Sequence, residues 1–420
     1  MYTFRSSLAT PTETVPISTI NLSARILPMP SIVSLSEKDR GETAGPMKEK
    51  DRIEWPEFHS GVAAALQLGG GGHTGGFDSS QILFNKPGEL NSRHAGFLMG
   101  LGLMGQISTM MFNQAFEYLK MKHDPTSIGL LLGLSVNYLG TADEKVAALL
   151  SVHLTALHPP NSSPLNVSGM TQAAGLVGIG LLYLGTKKRT LAEIMIRELC
   201  GIKVISIEDA TACREAYALS AGFSFGLIML GKGNEPTPTG GGETGLLKTF
   251  RDLILGENDR PLPGSTPSSH LIDVNITSPA ATMALALMYL KTEKKEVAAL
   301  LEIPSNARRL DYVRSDLLLL RTLGRCLIMW ETVASSKEWV ESHLPKFIVD
   351  GLAGGKVDPE LDIARWNQIA GACFGMGLKF AGTARKEAHV TLIHYLDRLT
   401  RAAYVKGPSV FSSSLCARLM

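Results

Sequence analysis

Net charge is nearly absent from this chain. Its 41 basic and 39 acidic residues leave +2, too little for the strong positive field that gathers nucleic acid. Cysteine is scarce and odd in number: Cys200, Cys213, Cys326, Cys373 and Cys416 show no framework spacing. That excludes a disulfide scaffold and reads as reduced, mostly buried thiols of an intracellular protein. Metal-ligand patterns are missing too. There is no His-Glu-x-x-His and no Cys-x-x-Cys, the ten histidines are scattered, and His153 and His158 stand five apart, so no metal site is expected. No Gly-x-Ser-x-Gly elbow and no nucleophile–base pair is present, so no enzyme is expected. The N-terminus has no signal-peptide apolar core. Residues 125–142 and 168–186 contain no Asp, Glu, Lys or Arg. Turn residues interrupt both stretches and a charged amphipathic segment follows each, which is the pattern of helical hairpins rather than membrane spans.

Small residues, by contrast, recur in a pattern. Gly129-Leu-Leu-Leu-Gly133-Leu-Ser-Val-Asn-Tyr-Leu-Gly140 returns as Ala174-Gly-Leu-Val-Gly178-Ile-Gly-Leu-Leu-Tyr-Leu-Gly185, and again as Gly371-Ala-Cys-Phe-Gly375-Met-Gly-Leu-Lys-Phe-Ala-Gly382. Aligning the second small residue gives eight anchors: Ala65, Gly100, Gly133, Gly178, Ser224, Ala284, Gly324 and Gly375. Four residues earlier stand Gly61, Gly96, Gly129, Ala174, Ser220, Ala280, Leu320 and Gly371, small in every case but Leu320. Subtracting anchor numbers gives steps of 35, 33, 45, 46, 60, 40 and 51 residues, one helical hairpin per step. Residues four apart share a helix face, so these positions predict close helix–helix contacts. Gly costs roughly 1 kcal/mol against Ala within a helix, and tight packing must offset that.

Second helices are expected about 13 residues after each anchor. Val146-Ala-Ala-Leu-Leu150 and Val297-Ala-Ala-Leu-Leu301 are identical at the same offset. Thr141-x-x-Glu144 and Thr190-x-x-Glu193 read as capping boxes, and Gly140, Gly185 and Gly382 as the ends of first helices. Residues 1–55 read as an extended, partly disordered arm with one strand-like run from Val15 to Leu27. Residues 56–405 read as the repeat domain, with flexible insertions at 69–92 and 232–275, and 406–420 as a tail. The second insertion encloses one amphipathic piece, Leu246 to Leu255.

Two glycine motifs imitate nucleotide sites. Gly100-Leu-Gly102-Leu-Met-Gly105 matches Gly-x-Gly-x-x-Gly, which needs a strand before it; within a helical repeat it reads as packing. Gly240-Gly-Gly-Glu-Thr-Gly245 has phosphate-loop spacing, but Leu246 replaces the lysine. No cofactor or small-molecule ligand is therefore expected. His59 and His94 precede equivalent glycines and suggest a repeated structural role such as hydrogen bonding to a helix end. Thr10, Thr237 and Thr266 precede proline and are candidate proline-directed phosphorylation sites.

The hairpins resemble proteasome/cyclosome repeats, the family of the large scaffold subunits of the proteasome regulatory particle and of the anaphase-promoting ubiquitin ligase. The ubiquitin-ligase branch is the nearer. The resemblance rests on Val15-Pro-Ile-Ser-Thr, Trp55-Pro-Glu-Phe-His-Ser-Gly-Val-Ala-Ala, Ala95-Gly-Phe-Leu-Met-Gly-Leu-Gly-Leu and Thr126-Ser-Ile-Gly-Leu-Leu-Leu-Gly. It continues through Val177-Gly-Ile-Gly-Leu, Ala280 to Thr292, Leu318 to Ile328 and Ile369-Ala-Gly-Ala-Cys, in family order over roughly residues 12–405. It implies an all-α solenoid of helical hairpins curling into a closed or nearly closed toroid. It also implies a non-catalytic scaffold in a cullin–RING-type ligase that controls cell-cycle protein degradation. The implied partners are a substrate-recruiting β-sandwich subunit, a cullin-like catalytic subunit and tetratricopeptide-repeat subunits, in nucleus and cytoplasm, with no nucleic acid and no membrane. The alternative is a regulatory-particle scaffold that docks ubiquitin receptors. Family scaffolds of the ligase also carry an N-terminal β-propeller and a further C-terminal part, so the chain is expected to be a fragment or truncated product.

Overall fold

The computed structural model describes residues 49–70, 79–110, 112–159, 167–200, 210–234, 242–256, 273–310, 313–353 and 358–406. These are helices and turns, with no strand among the described residues. The chain divides into two compact units, residues 1–133 and 134–420. The strand-like run from Val15, the tail, and Thr10, Thr237 and Thr266 lie outside the described residues.

The first unit contains α1 (Glu49–Gly70), α2 (Ser79–Phe84), α3 (Ser92–Leu103), a 3-10 turn (Ile107–Thr109), α4 (Phe112–Lys120) and most of α5 (Asp124–Asn137). Helix α1 starts inside the stretch read as an extended arm, with Pro56 within it. Glu49 to Trp55 has the charged composition of a helix start, and Pro56 removes one N–H donor without ending the helix. The same helix runs through Gly69 and Gly70, read from composition as linker. Asn91 caps α3, its side chain accepting from His94 N at 2.8 Å. Phe58, Val62, Leu66 and Ala95 form the core between α1 and α3. Helix α4 is amphipathic: Ala115, Tyr118 and Leu119 are buried, while Phe116 and Glu117 are exposed.

His94 is buried in this unit. Its Nε2 lies 2.9 Å from the Tyr118 hydroxyl, and the two rings stack. Burial, with a smaller push from the Lys86 charge, lowers its pKa from the usual 6.5 to about 4. An unfolded chain takes up the proton near 6.5, whereas the folded one resists until about 4. Stability carried by neutral His94 is thus complete above 6.5 and falls across that window as pH drops. Urea unfolding at pH 7 and pH 4.5 is expected to show a loss of stability that His94→Gln shrinks. An equal loss in both proteins would show that His94 is not the group responsible.

The second unit contains α6 (Glu144–Val152), α7 (Gly169–Leu182), α8 (Arg189–Cys200), α9 (Ala210–Ile228), α10 (Gly242–Leu255), α11 (Val274–Met288), α12 (Lys295–Leu300), α13 (Ala307–Leu310), α14 (Ser315–Ile328), α15 (Lys337–Glu341), α16 (Lys346–Ala353), α17 (Pro359–Phe380) and α18 (Lys386–Lys406). Glycine-rich helices pack on one another in chain order: α7 on α9, α9 on α11, α11 on α14 and α14 on α17. Most of their residues are buried; in α7 only Met170, Val177 and Leu181 are not. That is the composition of a helix enclosed on nearly all sides. The second helices are amphipathic and cover them. α8, for example, buries Ala192, Met195 and Leu199 at helical spacing.

Helix starts correct the capping expectation. Helix α6 is capped by Asp143, whose carboxylate accepts from Lys145 N and Val146 N. Thr141 instead donates to Tyr138 O within the preceding turn. Thr190 lies inside the first turn of α8, where Arg189 pairs with Glu193 at 2.8 Å. A carboxylate nearer the helix start takes the free N–H groups before a threonine two residues upstream can.

Candidate functional site: paired small-residue stripes and stitched turns

The first unit brings its small residues into direct backbone contact. A methyl group added at Gly61 or Gly96 would collide with the carbonyl oxygen of Arg93 or Phe58, and one at Gly129 with that of Ala95. At Gly100 it would come within 2.5 Å of the Ala65 β-carbon, and at Gly133 within 3.0 Å of Leu98 O. In the second unit Ala174, Ser224, Ala280 and Ala284 are buried, whereas Ser220 is only half-buried. Added methyls would come within 2.6 Å of Ser135 Oγ at Gly178 and 2.7 Å of Leu301 Cδ1 at Gly324. They would lie 2.5 Å from Leu319 O at Gly371 and 2.6 Å from the Cys326 β-carbon at Gly375.

The structure adds a second stripe, two residues after every anchor but Ala65: Gly102, Ser135, Gly180, Gly226, Ala286, Cys326 and Gly377. Two residues advance about 200° around a helix. The anchor therefore faces the preceding glycine helix and its +2 neighbour faces the following one. A methyl at Gly102 would collide with the Gly133 backbone. At Gly180 it would meet Ser224 Cα at 2.7 Å, and at Gly226 Ala284 Cα at 3.3 Å. From Gly133 onward each anchor thus packs on the +2 residue of the repeat before it, whereas Gly100 packs on the anchor Ala65 itself. The signal was present in the sequence as Gly-x-Gly, but two residues apart is not a one-face spacing, so a single-face reading passes over it. At Gly377 a methyl would meet nothing within 4 Å, and Phe374 and Leu378 beside it are 42% and 52% exposed.

Turns closing the glycine helices are stitched together in the second unit. Gly140 N and Ala142 N donate to Leu181 O and Leu182 O. Gly185 N and Lys187 N donate to Leu227 O and Ile228 O, and Gly231 N and Gly233 N to Leu287 O and Met288 O. Lys291 N and Glu293 N donate to Leu327 O and Ile328 O, all within 2.9–3.1 Å. The turn donors reach carbonyls in the last turn of the next helix, where regular intrahelical bonds run out; Leu181 O, Leu227 O and Leu287 O also accept from Leu184 N, Leu230 N and Leu290 N of their own turns. The geometry needs left-handed backbone: Gly140 has φ 70°, Ala142 53°, Gly185 67° and Lys187 56°. Lys291 takes the glycine position of its repeat at φ 60°, and its Nζ lies 4.5 Å over the Trp330 ring. The left-handed region costs a non-glycine residue roughly 1–2 kcal/mol. After the larger chain entropy of unfolded glycine is set against that, Ala142→Gly is expected to stabilise the protein by about 0.5–1 kcal/mol. An unchanged or lower urea midpoint would contradict it.

No group of three or more metal-ligating side chains occurs among the described residues, and no described helix is long and apolar enough to cross a membrane. Gly100 and Gly102 lie within α3, where the dinucleotide fingerprint would need a preceding strand. Gly242 to Gly245 open helix α10. The two leading histidines do not share one role. His94 bonds to Tyr118 rather than to a helix end, while His59 Nδ1 is buried with no hydrogen-bond partner among the described residues. Burial pushes the thiols of Cys200, Cys326 and Cys373 up to about 12, which leaves them unreactive as nucleophiles.

Comparison with known proteins extends this geometry. Residues 1–139 match the model of the APC1 fourth domain and residues 144–417 that of the APC1 fifth domain. A protein of Emericella nidulans described as a negative regulator of mitosis is 39% identical over 97% of this chain and 19% of its own length. Anaphase-promoting complex subunit 1 of Schizosaccharomyces pombe is 38% identical over 96% of the chain and 26% of its own length. The Homo sapiens subunit 1 is 36% identical over 92% and 20%. The chain therefore spans about a fifth to a quarter of the length of these relatives. Two consecutive domains of one family, matched in order along nearly the whole chain, agree with relatives that share more than a third of its residues: the chain belongs to the family of anaphase-promoting complex subunit 1.

Proposed function

We propose that this chain is the helical-repeat region of a non-catalytic scaffold subunit of the anaphase-promoting complex, a cullin–RING-type ubiquitin ligase acting on cell-cycle proteins. One observation carries the reading: within each unit the glycine helices are packed so closely that they can hold a fixed spacing. A rigid array with extended surfaces suits holding other proteins in register. On this reading the hairpins are proteasome/cyclosome repeats and the array curls towards a ring. Its neighbours are the β-sandwich, cullin-like and tetratricopeptide subunits, in nucleus and cytoplasm.

Affinity purification of the tagged chain from dividing cells, followed by mass spectrometry, tests this. Cullin-like, RING and tetratricopeptide subunits are expected among the captured proteins. Capture of proteasomal ATPases would move the function to the regulatory particle. Capture of neither would overturn the view that this region holds partners by itself.

A further inference from the structure

Between α10, α12, α13 and α14 lies a cavity of about 570 Å³ whose lining is unusually cationic. Arg251 comes from α10, Arg309 from α13 and Arg321 from α14; among the described lining residues Glu302 is the one carboxylate beside them. Arg321 is only 3% exposed. Its two terminal nitrogens donate to Glu302 O and Ile254 O, each at 3.3 Å, close to where α12 and α10 end. Those are long, weak bonds. Its Nε is buried and has no hydrogen-bond partner among the described residues. Burial pulls the guanidinium pKa down, and no carboxylate among the described residues forms an ion pair with it. A buried cation with neither a counter-charge nor a full set of acceptors is costly. An arrangement of this kind gains stability when an anion enters.

We propose that this cavity receives a phosphoryl group carried on a protein segment, bound by the guanidiniums of Arg321, Arg251 and Arg309. A tetrahedral dianion offers oxygens in several directions, which suits planar N–H forks arriving from three elements. A carboxylate would satisfy one fork. Leu255, Ile303 and Val313 line the remaining space and fit the aliphatic part of a phosphorylated residue and its neighbours. No aromatic side chain among the described residues lines the cavity. The volume lies in the range of ordinary ligand sites, far larger than free phosphate requires.

The test uses the folded chain and two probes: inorganic phosphate, and a short alanine–glycine peptide carrying one phosphothreonine. At matched ionic strength, phosphate is expected to raise the melting temperature where chloride does not. The phosphopeptide is expected to bind about tenfold or more tightly than either phosphate or its unmodified twin. Arg309→Gln and Arg251→Gln, on residues exposed enough to leave the fold intact, should each weaken the phosphopeptide about tenfold. Arg321→Met replaces an uncompensated buried cation with an apolar chain. It is expected to abolish the phosphate response while melting no lower than the parent. A lower melting temperature with the phosphate response retained would make Arg321 a purely structural clip and overturn the proposal. A phosphopeptide no tighter than phosphate would reassign the cavity to the free ion. Absence of any phosphate-specific shift, or an equal shift in the arginine variants, would remove the site altogether.

Discussion

Gly96→Ala is expected to destabilise the protein by about 2–4 kcal/mol, although a glycine-to-alanine change inside a helix ordinarily stabilises by roughly 1 kcal/mol. The two effects oppose each other, and the structure decides which wins. The new methyl would occupy the position of the Phe58 carbonyl oxygen. A backbone group cannot swing aside as a flexible side chain can, so α1 and α3 must separate and the contacts of Phe58, Val62, Leu66 and Ala95 loosen together. Gly377→Ala supplies the contrast. It is the same substitution within a helix, but the methyl meets nothing within 4 Å. Only the propensity term remains, and a gain of up to about 1 kcal/mol is expected. Urea unfolding of the parent and both variants gives the comparison. Equal midpoints for Gly96→Ala and the parent would show that α1 and α3 do not approach as described.

Phe250→Ala is expected to cost about 3–5 kcal/mol, the range for removing a fully buried phenylalanine. Phe250 is 1% exposed and meets Phe225 edge to face, with ring centroids 5.5 Å apart. Leu246, Leu253 and Ile254 are buried on the same helix, and Thr277 donates to Leu253 O at 2.8 Å, tying α10 to α11. Lys248→Ala, on the exposed side of α10, should stay within about 0.5 kcal/mol of the parent. A Phe250→Ala protein that unfolds with the parent would mean that α10 does not belong to the core.

This second prediction separates what local reading found, an amphipathic piece, from what it left open, the place of that piece in the core. Residues 232–275 look flexible because they are rich in Gly, Pro and Thr; the amphipathic piece Leu246 to Leu255 stands out within them, and the helix there runs from Gly242 to Leu255. What gives α10 its place is burial against α9 and α11, elements whose positions the composition of 232–275 does not reveal. The two leading histidines show the same limit. Their equivalence in the repeat suggested one role, yet only His94 has Tyr118 within reach. The capping threonines failed for a more local reason, since Asp143 competes for the same N–H groups and is better placed.

The repeat itself needed no tertiary information. Small residues four apart, hydrophobic flanks, and the closing glycines Gly140, Gly185 and Gly382 are enough to predict helical hairpins, because helix periodicity and left-handed turn geometry are properties of the local chain. The all-α class and the family likeness follow from that pattern. Tertiary structure decided which side of each small-residue helix faces which neighbour. An anchor and its +2 partner lie about 200° apart, so one helix cannot bury both faces by itself, and the second stripe acquires meaning only once helices are stacked on both sides. It also decided that Arg251, Arg309 and Arg321, separated by up to 70 positions in the sequence, line one cavity. Charges so far apart along the chain share a field only when packing brings their helices together.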